Sequence, residues 1–439
     1  MGSYVPTTAA EREQMLAQVG VKSLNDLYAA VPQEMFLHNG LNLPEGLSEL
    51  EVREKVTDLA EKNKVFKTVL RGAGSYRHFI PAVVKSITSR EELVTCYTPY
   101  QAEISQGVLQ GTFEFQTMIC ELTGMDVANA SHYDGATAAA ETIPMCKERK
   151  RNVAYVSETT NPQVIEVMKT YCFASNTELH VGPAKDGKTD AEALKAALGD
   201  NAACFYVQQP NFFGQIEDTV ALGEITHAAG AKFVMGVNPI ACALLPTPRE
   251  VGADVAVGDG QPLGLDTAFG GPYLGFMATT SAMTRKLPGR IVGETKDVDG
   301  KTGYVLTLSA REQHIRREKA SSNICSNQAL CAFTAGVYMS AMGEDGMKQC
   351  ARLCTSKAHY LASELEKIGC KLKYTGEFFH EFVTETACPN CRKKILDALA
   401  EKNILGGAEV DGGILWCVTE LVSKEKLDEV VAIVKEVQG

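Results

Sequence analysis

Between residues 126 and 280, short apolar runs alternate with segments of helical pattern, and this predicts buried strands separated by helices. The strand candidates are residues 153–156, 204–207, 233–235 and 255–257. The helix candidates between them are residues 162–171, 191–198 and 220–229. Strands that alternate with helices predict a mostly parallel sheet with helices on both faces. In such sheets, ligands bind where strand ends turn into loops.

The residues before this region predict helices with defined ends. Residues 8–11 have the spacing of a capping box, and residues 50–59 have the pattern of an amphipathic helix. A longer helix is predicted over residues 105–122, with Gly124 ending it. Residues 71–78 contain too many glycines to form a regular element.

After residue 330 the pattern changes to long helices followed by short strands. The helix candidates are residues 326–342, 346–368, 390–401 and 423–437. The strand candidates are residues 371–374, 381–383 and 413–418. We therefore expect three parts: a helical and irregular segment over 1–90, a large α/β domain over 91–330, and a smaller C-terminal α/β domain over 331–439.

Composition narrows the classes of protein. Apolar residues make up 45% and charged residues 22% of the 439 positions, which is typical of a globular protein rather than a disordered one. A net charge of −11 disfavours nucleic acid as a partner. No apolar run is long enough to span a membrane, and Glu11, Arg12 and Glu13 stand where a signal peptide would be apolar. We expect a cytoplasmic protein.

Fourteen cysteines are many for such a chain. Without a secretion signal, they are expected to be reduced thiols that pack like small apolar side chains. Cys388 and Cys391 have redox or metal spacing, but a zinc site would need a second pair. Cys350 and Cys354 are poor candidates because they fall on one helical turn. The sequence therefore predicts no metal site.

Three loops lie where the edge of the predicted sheet would place a ligand: residues 129–138, 207–211 and 254–272. In the first, small residues would let backbone N–H groups approach an anion at a helix N-terminus. The alternative is a tight turn with Asp134 as the helix cap. Residues 207–211 either present an amide to a ring hydroxyl or form an ordinary turn at the end of a strand.

Residues 97–107, 129–137 and 314–324 closely resemble long signatures of one family, the glycine decarboxylase P-protein of the glycine cleavage system. The resemblance covers essentially the whole chain and is to the N-terminal-half subunit of the split bacterial form. It implies the aspartate-aminotransferase-like fold of pyridoxal-phosphate-dependent transferases. It also implies a homologous second subunit in an α2β2 assembly, with glycine as substrate and the lipoylated H-protein as acceptor.

A pyridoxal phosphate site of this fold needs a lysine for the Schiff base, an aspartate beside the ring nitrogen and a phosphate loop. Residues 258–268, where the lysine is expected, contain none, and Gln261 stands near its place. Residues 236–238, where the aspartate is expected, offer no carboxylate. The remaining candidates are phosphate-loop residues: Asp134, Gly135, Ala136 and Thr137. We therefore expect the partner subunit to bind pyridoxal phosphate covalently.

Residues 71–78 and 97–110 are too polar and too rich in glycine for a core. We expect them to complete the partner's site or to shape the entrance for the lipoyl arm; interface packing alone is the alternative. The leading candidates are Tyr97, Tyr100, Gln101 and Glu103. His314, Arg316 and Arg317 are either anion contacts or salt-bridge partners.

By this resemblance, the chain is a subunit of an enzyme that decarboxylates glycine and transfers its aminomethyl group to the lipoyl group of H-protein. Without the lysine, this chain would support the partner and be inactive alone. One alternative is a self-sufficient pyridoxal phosphate enzyme that uses a displaced lysine such as Lys286 or Lys319. The other is a scaffold or regulator without catalytic function.

Overall fold

The computed structural model describes residues 6–37, 39–94, 98–320, 322–324, 327–386 and 389–438. The chain divides into two compact units, one ending at Lys64 and one beginning at Val65. We call them the N-terminal unit and the main unit. The boundaries expected at residues 90 and 330 remain predictions.

The N-terminal unit consists of helix α1 (Ala9–Val19), helix α2 (Glu49–Ala60) and two short 3₁₀ helices. The predicted capping box at the start of α1 is confirmed, since Thr8 and Glu11 bond each other's backbone N–H groups. None of the described side chains of this unit is buried. Its helices therefore have no core of their own.

The main unit contains the remaining elements. Its helices are α3 (Ala82–Thr88), α4 (Glu91–Val94), α5 (Gln106–Thr123), α6 (Gly135–Cys146), α7 (Pro162–Ala174), α8 (Ala191–Ala197), α9 (Thr219–Ala228), α10 (Gln313–Arg316), α11 (Ala329–Lys367), α12 (Pro389–Glu401) and α13 (Lys424–Gln438). Its strands are β1 (Thr68–Val69), β2 (Val127–Ala128), β3 (Val153–Ser157), β4 (Glu178–Gly182), β5 (Ala184–Lys185), β6 (Lys188–Thr189), β7 (Ala202–Gln209), β8 (Lys232–Val237), β9 (Val255–Asp259), β10 (Gly275–Thr279), β11 (Ile291–Lys296), β12 (Thr302–Thr307), β13 (Glu381–Glu385), β14 (Ile404–Leu405), β15 (Ala408–Val410) and β16 (Gly413–Cys417).

A seven-stranded sheet organises the main unit, in the order β2-β10-β9-β8-β7-β3-β4. The strands β4, β3, β7, β8 and β9 run parallel, and β10 pairs antiparallel with both β9 and β2. The four strands predicted from the apolar runs are all in this sheet. The prediction of a mostly parallel, helix-covered sheet is therefore confirmed.

Successive residues of the strands enter different cores, because side chains alternate between the faces of a sheet. Phe205 and Phe233 pack in a cluster with residues of α5 and α11. Their neighbours Tyr206 and Val234 pack with α6 and α7. This alternation holds the carboxyl ends of β7 and β8 in fixed positions between two layers of helices.

The C-terminal region forms a second, smaller sheet, β13-β16-β15, with antiparallel pairing. It packs around the buried Trp416 together with α12 and α13. The strand predicted over residues 371–374 is wrong: only Leu372 makes an isolated bridge, to Thr384. The segment lies beside β13, since the Lys373 N–H donates to the Val383 carbonyl and the Glu385 N–H to the Lys371 carbonyl, both at 2.8 Å, but the pairing does not extend into a strand.

Two glycines end or interrupt helices because they adopt positive φ. Gly124, at φ 70°, follows the last residue of α5, as predicted. Gly343, at φ 61°, breaks the backbone of α11 between the two helices that the sequence predicts there. Among the described residues, no helix has both the length and the apolar character that crossing a membrane requires.

The described cysteines differ in one respect from the expectation of reduced thiols. Cys391, in the first turn of α12, is disulfide-bonded. Cys388, with which the sequence pairs it, lies outside the described residues. The free thiols are Cys120, Cys146, Cys172, Cys204, Cys242, Cys331, Cys350, Cys354, Cys370 and Cys417.

Candidate functional site

A cavity of about 480 Å³ opens at the carboxyl ends of β7, β8 and β9, which is where a sheet of this kind places a ligand. The backbone of the glycine-rich loop over residues 72–76 forms one wall. The polar side chains on its surface are Ser75, Tyr76, Asp134, Asn161, Gln163, Tyr206, Gln208, Asn238, Asp259 and Tyr273. Among the described lining residues, none is a lysine or an arginine.

Gln261 fastens the glycine-rich loop to the sheet. Its Oε1 accepts the backbone N–H of Tyr76 at 2.8 Å, and its Nε2 donates to the carbonyls of Tyr76 and Leu265, both at 2.8 Å. The side chain is 1% exposed. Both ends of this amide are thus used in holding the loop, and an amide cannot form a Schiff base.

Glu381 holds the same loop from the C-terminal sheet. One carboxylate oxygen accepts the Ala73 N–H at 2.7 Å, and the other accepts the Tyr76 hydroxyl at 2.8 Å. Burial raises the pKa of Glu381 to about 7, although the Ala73 N–H acts in the opposite direction. The loop over residues 72–76 is therefore fixed by hydrogen bonds from two separate parts of the main unit.

The N-terminus of α6 is occupied by carboxylates of this chain. Asp134 is the N-cap and accepts the Thr137 N–H at 2.7 Å, as the helix-cap alternative predicts. The Gly135 N–H donates to Asp259 at 2.9 Å. Burial raises the pKa of Asp259 to about 7. These two N–H groups, which would face an anion, are hydrogen-bonded within the protein.

The end of β8 carries Asn238, whose Oδ1 accepts the backbone N–H groups of Ile240 and Ala241 at 2.9 and 3.3 Å. Two residues earlier, an added Cβ at Gly236 would collide with the hydroxyl of Tyr206. No side chain larger than glycine fits at position 236 while Tyr206 keeps this orientation. The end of the strand therefore provides an amide and a phenol to the cavity, and no carboxylate.

Residues 98–110 do not line this cavity. Tyr100, Gln101 and Glu103 are exposed and do not line it. The Tyr100 hydroxyl accepts a hydrogen bond from Nη2 of Arg290 at 2.6 Å, and the guanidinium lies 5.1 Å from the centre of the tyrosine ring. Tyr97 lies outside the described residues.

Two of the other predicted positions, His314 and Asn211, have partners within the chain. His314 is exposed and lies 3.6 Å from Glu312, while Arg316 and Arg317 are exposed beside it. Asn211 uses its amide on the Gly187 carbonyl and on Glu217, both at 2.8 Å. Asn211 therefore directs its amide into the protein, whereas Gln208 of the same segment lines the cavity.

Sequence reasoning missed Glu381, a buried carboxyl that holds the loop over residues 72–76, and Asp259, a partly buried carboxyl on the cavity wall. Asp259 carries a partial signal, because it follows a buried strand directly and precedes Gly260. Glu381 stands 308 residues from the Ala73 N–H that it accepts, and nothing in its neighbourhood indicates that contact. The glycine-rich loop lines a cavity in its own chain, and its expected role at the partner's site stays a prediction.

Replacing Tyr100 by phenylalanine is expected to lower the free energy of unfolding by about 1.5–3 kcal/mol, because the buried Arg290 loses a charged hydrogen bond. The Nε and Nη1 atoms of Arg290 have no hydrogen-bond partner, so nothing else compensates. Urea unfolding of Tyr100→Phe and of the exposed control Tyr133→Phe measures this. Equal stabilities of the two variants would contradict the expectation.

Similar solved structures define the class of this protein. The fold matches an alanine–glyoxylate aminotransferase from Nostoc with a TM-score of 0.60 at 14% identity, over 93% of this chain and 99% of that one. It also matches a sphingosine-1-phosphate lyase from Burkholderia pseudomallei with a TM-score of 0.66 at 12% identity, over 94% of each chain. The main unit therefore has the fold of the pyridoxal-phosphate-dependent aminotransferases.

Nearer relatives show the family. The family described as "Glycine cleavage system P-protein" matches this chain over residues 2–434. A probable glycine dehydrogenase (decarboxylating) subunit 1 from Desulfitobacterium hafniense is 48% identical over 99% of this chain and 100% of its own length. A crystal structure of the glycine decarboxylase (P-protein) of the glycine cleavage system in inhibitor-bound form has a TM-score of 0.92 at 40% identity, over 99% of this chain and 100% of that one. The chain belongs to the glycine cleavage system P-protein family.

The fold implies pyridoxal phosphate, but the residues of this cavity do not match a covalently bound one. Within the described part of the chain, no lysine reaches the wall, and Asn238 stands at the end of β8 without a carboxylate. A phosphate group would also meet Asp134 and Asp259, with no cation on the wall to offset their charge. Asp134, Asp259 and Gln261 instead form hydrogen bonds to backbone groups of this chain.

Proposed function

We propose that this chain is the non-covalent subunit of a two-subunit glycine decarboxylase. With a lysine-bearing homologue in an α2β2 assembly, it would act in the cytoplasm on glycine. The pair releases CO2 and passes the aminomethyl group to the lipoyl group of H-protein. Pyridoxal phosphate, held by the partner subunit, supplies the electron sink for decarboxylation.

The observation that carries this proposal is the state of Gln261. It stands near the position where the resemblance places the lysine, and both ends of its amide hold the backbone around Tyr76. Gln261 and Asn238 are amides near the positions where the lysine and the aspartate of a pyridoxal phosphate site are expected, and both amides hydrogen-bond to the backbone of this chain. A chain whose relatives are named as one subunit of a decarboxylating enzyme, and whose cavity has lost these groups, is best explained by a partner that keeps them.

The N-terminal unit supports the need for a partner. It buries none of its described side chains, yet it carries many large apolar ones. The exposed set is Met15, Val19, Leu24, Leu27, Tyr28, Val31, Met35, Leu37, Leu41, Leu43, Leu47, Leu50, Val52, Val56 and Leu59. Exposed apolar surface on this scale is typical of protein–protein contacts. We propose an obligate interface of more than about 2,000 Å² with the second subunit.

The segment over residues 98–104 supports a contribution to that interface. Tyr100 is 57% exposed and Ile104 80% exposed, and Gln101 and Glu103 also face outward. We propose that Tyr100, Gln101 and Glu103, with Tyr97, complete the partner's site or the entrance for the lipoyl arm. Packing at the interface is the alternative. The first role predicts that removing the Tyr100 hydroxyl lowers the rate of glycine decarboxylation by the two-subunit complex, and packing alone predicts that it does not.

A self-sufficient enzyme with a displaced lysine is the rival within the enzyme class. Lys286 lies 3.5 Å from Glu148 and does not line the cavity, and Lys319 is exposed in a short turn. A scaffold or regulator is the rival outside the enzyme class. The borohydride and exchange experiments below separate both from the proposal.

Borohydride reduction after incubation with pyridoxal phosphate is expected to leave no stoichiometric adduct on a specific lysine of this chain. In a mixture with the lysine-bearing homologue, the adduct is expected on that homologue alone. Mass spectrometry of the separated chains measures both outcomes, and bovine serum albumin controls for non-specific modification of surface lysines. A stoichiometric adduct on one lysine of this chain would overturn the assignment.

A further inference from the structure

Four buried side chains outside the cavity bring their metal-ligating atoms together. They are His78, Cys350, Cys354 and Glu420, and one ligand atom from each lies within 4.8 Å of the other three. His78, Cys350 and Cys354 are 7%, 4% and 0% exposed, and the side chain of Glu420 is 12% exposed. The three contributing segments are far apart in the sequence, so only the fold assembles this group.

Three of the six distances between the four atoms are close to the edges of a small tetrahedron. Nδ1 of His78 lies 2.8 Å from Oε2 of Glu420 and 3.8 Å from Sγ of Cys350. The Sγ of Cys354 lies 3.4 Å from the same Oε2. Around a zinc ion with bonds of about 2.0–2.3 Å, tetrahedral edges are about 3.3–3.8 Å. Of the three distances above, the His78–Glu420 one would have to lengthen by about half an ångström; the other pairs lie within 4.8 Å of one another.

Helix geometry explains why Cys350 and Cys354 are better placed to bind one metal ion than to form a disulfide with each other. Cys350 and Cys354 are four residues apart on α11, so both side chains point to the same face, one turn from each other. Their Cβ atoms are then about 5–6 Å apart, whereas a disulfide needs about 3.5–4.5 Å. A metal ion can bridge the two sulfurs without bending the helix. The four-residue spacing of Cys350 and Cys354 made them poor zinc candidates in the sequence, but in the fold it places both sulfurs beside His78 and Glu420.

The remaining ligands are held in place by other contacts. The second carboxylate oxygen of Glu420 accepts the Phe79 N–H at 2.6 Å, and its backbone carbonyl accepts Nζ of Lys357 at 2.5 Å. Such contacts fix the orientation of a ligand before a metal arrives. His78 follows two residues after the glycine-rich loop over 72–76. A metal here would tie that loop to α11 and to the segment after β16.

We propose that His78, Cys350, Cys354 and Glu420 form a structural zinc site that clamps the glycine-rich loop to the C-terminal part of the chain. Two thiolates, one imidazole and one carboxylate are a ligand set that selects Zn²⁺ over Mg²⁺ or Ca²⁺. All four positions are filled by protein, so the site is closed and has no place for substrate. Bound zinc carries a net charge of −1 with these ligands, close to neutral for a buried site.

The test is the zinc content of the full chain, produced with added zinc and then dialysed against buffer without chelator. Elemental analysis is expected to find about one zinc per chain in the wild type and less than about a tenth in Cys350→Ser and Cys354→Ser. Cys331→Ser is the matched control, because Cys331 is a buried thiol on the same helix outside the cluster. It is expected to keep its zinc.

Cobalt replaces zinc in a readout that does not depend on the variants folding. Co²⁺ added to metal-free wild-type chain is expected to give a thiolate-to-cobalt charge-transfer band and the visible d–d bands of a tetrahedral ion. Removing zinc with a chelator is expected to lower the unfolding temperature of the wild type and of Cys331→Ser, and not that of Cys350→Ser. It is also expected to speed hydrogen exchange at residues 72–79.

Three results would overturn the proposal. The first is a wild-type chain with less than about a tenth of an equivalent of zinc and no cobalt–thiolate band. The second is a Cys350→Ser, Cys354→Ser double variant that keeps the wild-type zinc content, which would place the metal elsewhere. The third is loss of zinc from Cys331→Ser while that variant stays folded.

Discussion

The chain alone is expected to catalyse no measurable exchange of the glycine carboxyl group with CO2, at least about a thousandfold below the rate of its mixture with the lysine-bearing homologue. The physical reason is that the cavity supplies neither an amine for the cofactor carbonyl nor a carboxylate for its ring nitrogen. The assay follows labelled bicarbonate into glycine in the presence of pyridoxal phosphate and H-protein.

The matched control for this assay is Gln261→Lys in the isolated chain. It restores an amine near the expected position but leaves Asn238 unchanged, and it removes the two hydrogen bonds to the Tyr76 backbone and one to the Leu265 carbonyl. We expect it to remain inactive. Full exchange by the wild-type chain without a partner would refute the proposed division of labour, and inactivity of the mixture would favour a scaffold instead.

Replacing Gly214 by alanine is expected to lower the free energy of unfolding by about 3–5 kcal/mol, the largest stability effect we foresee for one added methyl group. Gly214 has φ 81°, and an added Cβ would collide with the backbone carbonyl of Glu381. Backbone cannot rotate away as a side chain can. The Gly214 carbonyl also accepts the Phe379 N–H at 3.1 Å, so a shift here separates the turn from the C-terminal sheet.

Gly252→Ala separates backbone strain from this collision. Gly252 has φ 84°, close to that of Gly214, but the nearest atom to an added Cβ is 3.9 Å away. Its expected cost is therefore only the left-handed conformation, about 1–2 kcal/mol. Urea unfolding of both variants measures the difference. Similar losses in the two would show that the turn moves away from Glu381 easily.

Local patterns determined most of the elements. The predicted strands around residues 153–156, 204–207, 233–235 and 255–257 all lie in the central sheet, because buried strands need continuous apolar runs whatever their neighbours are. The capping box at Thr8 and the glycine at position 124 act within a few residues, so the sequence contains the whole interaction. Residues 371–374 lie beside β13 but form only a single bridge, and how far such pairing extends is not determined by the segment's own pattern.

The residues that build the site could be foreseen only in part. Gln261 and Asn238 were identified because the family places a lysine and an aspartate near those positions, and a residue type is read directly from the sequence. What these side chains do could not be foreseen. Gln261 hydrogen-bonds to the backbone of Tyr76, 185 residues away along the chain, and Asp259 to the N–H of Gly135 at the start of α6, 124 residues away.

The sequence by itself therefore determined the fold class, the family and the residue types that stand where the cofactor's partners are needed, because each of these depends on local patterns or on identity at a position. Only the tertiary structure decided that the glycine-rich loop lines a cavity of its own chain and that Glu381 holds it. Only the tertiary structure brought His78 to the cysteines of α11, 272 residues away along the chain. Contacts of that length depend on how packed layers fold back on one another, and no periodicity in the sequence encodes them.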